Sequence, residues 1–186
     1  KILVHKNLPT SPDALLRILE PFQPDVAVTV ECIFTWYWIA DLCHEENIPF
    51  VLGHALYMKA IHGSKTKNDK IDSHKIAVLL RGGMIPMAYV YPAEMRSTRD
   101  LLRRRMHFMY KRSELLSHIQ NTRNQYNLPE FKGCISRKRN RTGITDHFKD
   151  LSVKKSIELN LTLLKQYDSL LNDVELYLTR HAKEHN

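Results

Sequence analysis

Asp25-Val26-Ala27-Val28-Thr29-Val30-Glu31 and Lys65-Thr66-Lys67-Asn68-Asp69-Lys70-Ile71-Asp72 are the two stretches from which the fold is read. The first is rich in β-branched residues and predicts a buried strand from Asp25 to Val30, closed by an acid at Glu31. An acid at the end of a buried strand is costly unless it reaches water or binds something. The second stretch sets Asp69 and Asp72 three residues apart, at the mouth of the apolar segment Ile76 to Leu80. In a helix beginning at Asp69 both carboxylates project from one face of the first turn. A strand-end Glu and a helix-start Asp pair together form the oxygen-rich set that Mg²⁺ takes in phosphoryl chemistry. Each part also has an ordinary reading. Aspartates cap helix starts and suit the positive end of the helix dipole, and Glu31 can be a solvated strand terminus.

Outward from these stretches, strand and helix patterns alternate. Ile2 to Val4 reads as a strand, Ser11 to Glu20 as a short helix, and Trp36 to Glu46 as a second helix. Phe50-Val51-Leu52 reads as a short strand, and Asp69 to Leu80 as a helix stopped by Gly82-Gly83. That alternation predicts an α/β layer over residues 1–90 with at least part of its sheet parallel. From Pro92 the pattern turns helical, which predicts a second region over 91–186. Leu102, Met106, Met109 and Leu116 form an apolar stripe on a long helix from about Glu94 to Tyr126. A last helix from about Asp150 to Arg180 carries Leu163, Tyr167, Leu170, Val174 and Tyr177 at coiled-coil spacing. That seam suits either a helical hairpin or a short coiled coil, and self-association into a homo-oligomer stays open.

The charge is strongly local. The chain has a net charge of +8, but between Ala93 and Gly143 there are 13 Lys or Arg against 4 Asp or Glu, a net of +9, so the remainder sums to −1. Arg96, Arg99, Arg103, Arg104, Arg105, Lys111, Arg112 and Arg123 lie on the long helix, and Lys65 and Lys67 precede the Asp pair. Such a concentration predicts phosphate contacts to nucleic acid, against the plainer reading of a solvated helix with snorkelling side chains. Charge by itself does not choose between RNA and DNA.

The motifs are similar to those of DEDD-type insertion-sequence transposases, recombinases with a RuvC-like, ribonuclease-H-type nuclease domain. The likeness rests on Val28-Thr29-Val30-Glu31-Cys32 followed by Trp36-Tyr37-Trp38, and on Lys67-Asn68-Asp69-Lys70-Ile71-Asp72-Ser73 leading to Ile76-Ala77-Val78-Leu79-Leu80 and Gly82-Gly83-Met84-Ile85-Pro86. The Arg-rich helix after Tyr91-Pro92 and Ile119-Gln120-Asn121-Thr122-Arg123-Asn124-Gln125 also fit, so the resemblance spans residues 1 to about 130. Asn68 and Ser73 stand where the family has Thr and Ala. The resemblance implies a partial RuvC-like domain, Glu31, Asp69 and Asp72 as catalytic Mg²⁺ ligands, and DNA and a structured guide RNA as partners. It also implies a first catalytic Asp on an upstream strand and a Ser in a C-terminal domain. The opening Lys1-Ile2-Leu3-Val4-His5 carries no acid, so the chain is expected to be an internal fragment that binds better than it cuts. The rival expectation is a non-catalytic RNA- or DNA-binding helical module.

Other patterns are weaker. At 43% hydrophobic residues the core is expected to be limited and uneven. No run reaches membrane-span length and no leader is visible, so a cytoplasmic location is expected. Cys32, Cys43 and Cys134 lack metal-ligand spacing and read as free thiols. His181-Ala182-Lys183-Glu184-His185 matches a zinc-peptidase pattern but has no third ligand in reach, and Gly63-Ser64-Lys65-Thr66 lacks the glycine spacing of a P-loop. The run Arg137-Lys138-Arg139-Asn140-Arg141 fits a localisation signal, phosphate contact or plain solvation equally.

Overall fold

A computed structural model describes residues 1–61 and 69–184, with the side chains of 59–61, 69, 70 and 184 outside that description. Two compact units are present, Lys1–Glu94 and Met95–Asn186. The first is a small α/β layer and the second is helical.

In the first unit, α1 (Pro12–Leu19) starts where Ser11 accepts a 3.3 Å hydrogen bond from the Ala14 amide and Pro12 supplies a preset helical φ. Strand β1 (Val28–Glu31) pairs in parallel with β2 (Phe50–Gly53), Val28 opposite Phe50 and Glu31 opposite Gly53. Parallel neighbours need a long crossover, which α2 (Trp36–Glu45) provides. Its Trp36 and Ala40 close with Leu52 on a buried cluster against which Val30, Phe50 and Tyr91 pack. The far edge of β2 is covered by residues 86–88, with Ala88 donating to the Leu52 carbonyl at 2.7 Å and His54 to the Pro86 carbonyl at 2.7 Å. Helix α3 (Ala55–Ile61) follows, an element the sequence reading passes over. Helix α4 (Asp69–Arg81) ends as expected at the glycine pair. Gly83 takes a φ of +64°, and the Met84 amide reaches back to the Leu79 carbonyl at 2.9 Å.

The expected strand at Ile2 to Val4 is not formed. Residues 1–5 form no regular element, with Leu3 67% exposed, because the described two-stranded sheet gives this segment no partner. Strand β1 is also shorter than read, starting at Val28 and taking in Glu31.

The second unit is an antiparallel hairpin of α5 (Ala93–Gln125) and α6 (Leu151–Glu184). Its core, Ile119, Ile135, Ile144, Phe148, Ile157 and Leu164, gathers the closed end of the hairpin and the connecting loop. Gly143, with φ +76°, turns the chain into a short 3₁₀ segment that drops Ile144 and Phe148 into that core. Both apolar stripes are met only in part. On α5 the inward positions are Leu101, Arg105, Phe108, Arg112, Leu115 and Ile119; of the expected stripe Leu116 packs against the core, while Leu102, Met106 and Met109 are exposed. On α6 Ile157, Leu164 and Asp168 lie inward; of the expected seam Tyr167, whose ring meets Phe108, and Val174 are half-buried, while Leu163, Leu170 and Tyr177 are exposed. One residue is a 100° turn of the helix, so the true seam contains arginines and an aspartate that an apolar pattern cannot register.

Asp168 explains how they are tolerated. One carboxylate oxygen accepts from Arg112 Nε at 2.6 Å and the other from Arg141 Nη1 at 2.5 Å, with the Asp168 side chain only 6% exposed. Burial alone would raise the Asp168 pKa. The two guanidiniums outweigh it and hold the carboxyl below its ordinary 3.8. With the folded value lowered, the ion cluster contributes fully above pH 3.8, and its contribution is lost as pH falls through the folded value. Denaturant unfolding followed by helical circular dichroism should therefore show the second unit weakening on acidification in that window. Asp168→Asn should cost about 3 kcal/mol at neutral pH, the low end for a broken buried pair because both guanidiniums are only partly buried, and should remove that part of the acid sensitivity.

Candidate functional site

Side chains alternate across a strand, so Val30, which packs on the Trp36 cluster, and Glu31 point to opposite faces of β1. Helix α4 packs against β1. An open groove of about 900 Å³ runs there, lined by Thr29, Glu31, Asp72, Ser73, Ile76 and Leu80 among others. Glu31 and Asp72, distant in sequence, thus line one groove. Thr29 adds a buried hydroxyl with no hydrogen-bond partner among the described residues. The Val28 and Cys32 amides donate to the Pro49 and Gly53 carbonyls beside β2, so Thr29 and Glu31 turn their main-chain groups to the other, unpaired edge.

The chemistry of this donor set is hard oxygen. Lys75 Nζ stands 3.9 Å from Asp72 Oδ1, a half-exposed i,i+3 pair of the weak kind. Asp69 begins α4, one turn before Asp72, but its side chain lies outside the described residues, as do Lys65 and Lys67 entirely. Among the described residues no three His, Cys, Asp or Glu side chains converge as a complete metal set. The three cysteines are free thiols, and burial raises the pKa of Cys43. The final Glu184-His185 of the zinc-like pattern falls outside the described side chains.

In the second unit the basic residues separate into committed and available groups. Arg112 is held by Asp168 and by the Ser136 carbonyl, to which its Nη2 donates at 2.8 Å. Arg105 donates to Glu175 from Nε at 2.9 Å and from Nη2 at 2.5 Å. Lys111 donates to Glu114 at 2.8 Å, and that contact raises the lysine pKa and lowers the glutamate's. Arg123 donates to Asn124 and lies 5.7 Å over the Phe131 ring. Arg96 is buried, and Arg99 stands 3.4 Å from Asp100. Arg103 and Arg104 alone of the expected set are exposed with no acidic partner among the described residues. Sequence reasoning passed over Asp168 and Arg141 as structural and Arg137 to Arg139 as a built surface. Only the basic composition of that run signalled it.

No family model, curated protein or solved structure matches the chain. No described helix is long and apolar enough to cross a membrane.

The committed and available arginines should differ in stability measurements. Arg103→Gln and Arg104→Gln should stay within about 0.5 kcal/mol of wild type. Arg112→Gln should cost about 1.5–3 kcal/mol, because a buried charged hydrogen bond is lost. Urea unfolding of the three variants checks this.

Proposed function

We propose that this chain is part of a Mg²⁺-dependent DNA transposase or recombinase of the DEDD type, supplying metal-binding carboxylates and nucleic-acid contacts for strand cleavage and transfer. The observation that carries the reading is that Glu31 and Asp72 line one groove on the face of β1 that α4 covers. The first unit is then the parallel core of a ribonuclease-H-like layer, with Glu31 at the carboxyl end of its strand, where α/β sheets hold ligands. Glu31 and Asp72 would hold the ion, with Asp69 joining from the start of the same helix. When bound, Mg²⁺ supplies charge neutralisation at a phosphodiester and orients its oxygens. The family pattern adds an Asp and a Ser from sequence beyond the residues matched in this chain.

The second reading, a non-catalytic module that binds RNA or DNA, is favoured by Arg103 and Arg104 standing exposed without acidic partners among the described residues. Both readings use the same basic helix. They differ only in whether the carboxylates act.

In an enzyme with the complete acid set, Asp69→Asn or Asp72→Asn should abolish Mg²⁺-dependent cleavage while nucleic-acid binding stays near wild type. Cleavage at an undiminished rate would defeat the enzyme reading and leave the binding one. On the chain itself, Mn²⁺ should broaden the amide resonances of Thr29, Ile33 and Ser73, and Glu31→Gln with Asp72→Asn should abolish the effect.

For binding, replacing Arg103 and Arg104 with Gln should weaken the affinity for a labelled RNA hairpin. The log–log salt slope should fall by roughly 0.7 to 0.9 per lost phosphate contact.

A further inference from the structure

We infer that the turn Arg137-Lys138-Arg139 is a second, preorganised contact for the phosphodiester backbone, separate from the α5 arginines; this rests on the nucleic-acid reading above. The turn is a 3₁₀ segment, Lys138–Asn140, in the loop between α5 and α6. All three cations are exposed, and none has an acidic partner among the described residues.

What marks this turn is how firmly its backbone is held. Ile135, just before it, is buried in the core of the second unit. The Ile135 carbonyl accepts from Arg141 Nε at 2.9 Å. The Ser136 carbonyl accepts from Arg112 Nη2 at 2.8 Å and from Arg141 Nη2 at 3.2 Å. Asp168 pairs with both guanidiniums, one on each carboxylate oxygen, so the clamp keeps a net charge of about +1 beside the turn. The Cys134 carbonyl accepts from Asn140 Nδ2 at 3.0 Å and from the Arg137 amide at 3.1 Å, and the Asn140 amide closes on the Arg137 carbonyl at 3.0 Å. Gly133 lets this happen, since a Cβ there would stand 2.7 Å from Asn140 Nδ2.

Three adjacent cations repel one another, and the fold holds that repulsion in place with a buried ion cluster that is itself expensive to form. Cations carried on a held backbone meet a polyanion with less main-chain ordering cost than cations on a mobile loop. Two of the three are guanidiniums, which suit bidentate phosphate contact. Phosphates come from RNA or DNA, so both serve as probes.

The test titrates a labelled RNA hairpin and a duplex DNA with the full chain at several salt concentrations. Arg137→Gln/Lys138→Gln/Arg139→Gln should lower affinity and reduce the log–log salt slope by about 0.7 per contact on single strands or 0.9 on duplex. Asn140→Ala keeps the charge but frees the turn. It should weaken binding severalfold with the slope unchanged, and unaltered helical circular dichroism would exclude unfolding. Binding that survives the triple change but falls in Arg103→Gln/Arg104→Gln overturns this inference and leaves the nucleic-acid reading intact. No binding of either probe by the wild-type chain overturns both. Equal wild-type affinity for anionic phosphatidylserine vesicles, lost in the same triple variant, would show a generic anion surface and overturn it as well. An Asn140→Ala affinity equal to wild type would overturn the preorganised contact.

Discussion

Parallel pairing of Val28–Glu31 with Phe50–Gly53 is the constraint on which the first unit depends. Two parallel strands cannot be joined by a tight turn, so the chain must cross over, and α2 does so with Trp36 pressed onto Leu52. That packing settles which face of β1 is core. Val30 goes to the Trp36 side and Glu31, one residue on, to the opposite face, where α4 brings Asp72 into the same groove. A single parallel pair thus sets two acids some forty residues apart in sequence along one groove.

The second unit is governed by charge rather than by apolar surface alone. Its hairpin seam carries Arg105 and Arg112 on α5, and α6 answers with Glu175 and Asp168. The Asp168 cluster reaches a third element as well, since Arg141 comes from the connecting loop. Stability, loop shape and the disposition of the remaining surface cations are therefore coupled through one carboxylate. The same arrangement divides the basic residues into those that build the fold and those left exposed without acidic partners among the described residues.

The elements were largely legible, because their signals are local. Ser11-Pro12 announced the start of α1, Gly82-Gly83 the end of α4, and the β-branched run before Glu31 the strand itself. The failures were non-local. Ile2 to Val4 has strand composition, but a strand exists only with a partner, and the described sheet gives it none. The apolar stripes were met in part: Leu116, Tyr167 and Val174 are half-buried, while Leu102, Met106, Met109, Leu163, Leu170 and Tyr177 lie on exposed faces. The buried face held ionic residues whose neutralisation came from another helix.

By itself the amino-acid sequence determined most of the helix and strand order, apart from Ile2 to Val4 and α3, the passage from an α/β to a helical region close to residue 90, the local concentration of positive charge and the candidate acids Glu31, Asp69 and Asp72. These depend on neighbours a few residues away, on caps, glycines, β-branching and composition. Tertiary structure alone decided that Glu31 and Asp72 share a groove and which helix faces meet. It also decided that Arg112 and Arg141 are structural while Arg103, Arg104 and Arg137 to Arg139 stand exposed without acidic partners among the described residues. The reason is that a side chain's burial and charge partner are set by elements far along the chain, and Asp168 lies 56 residues from the arginine it neutralises.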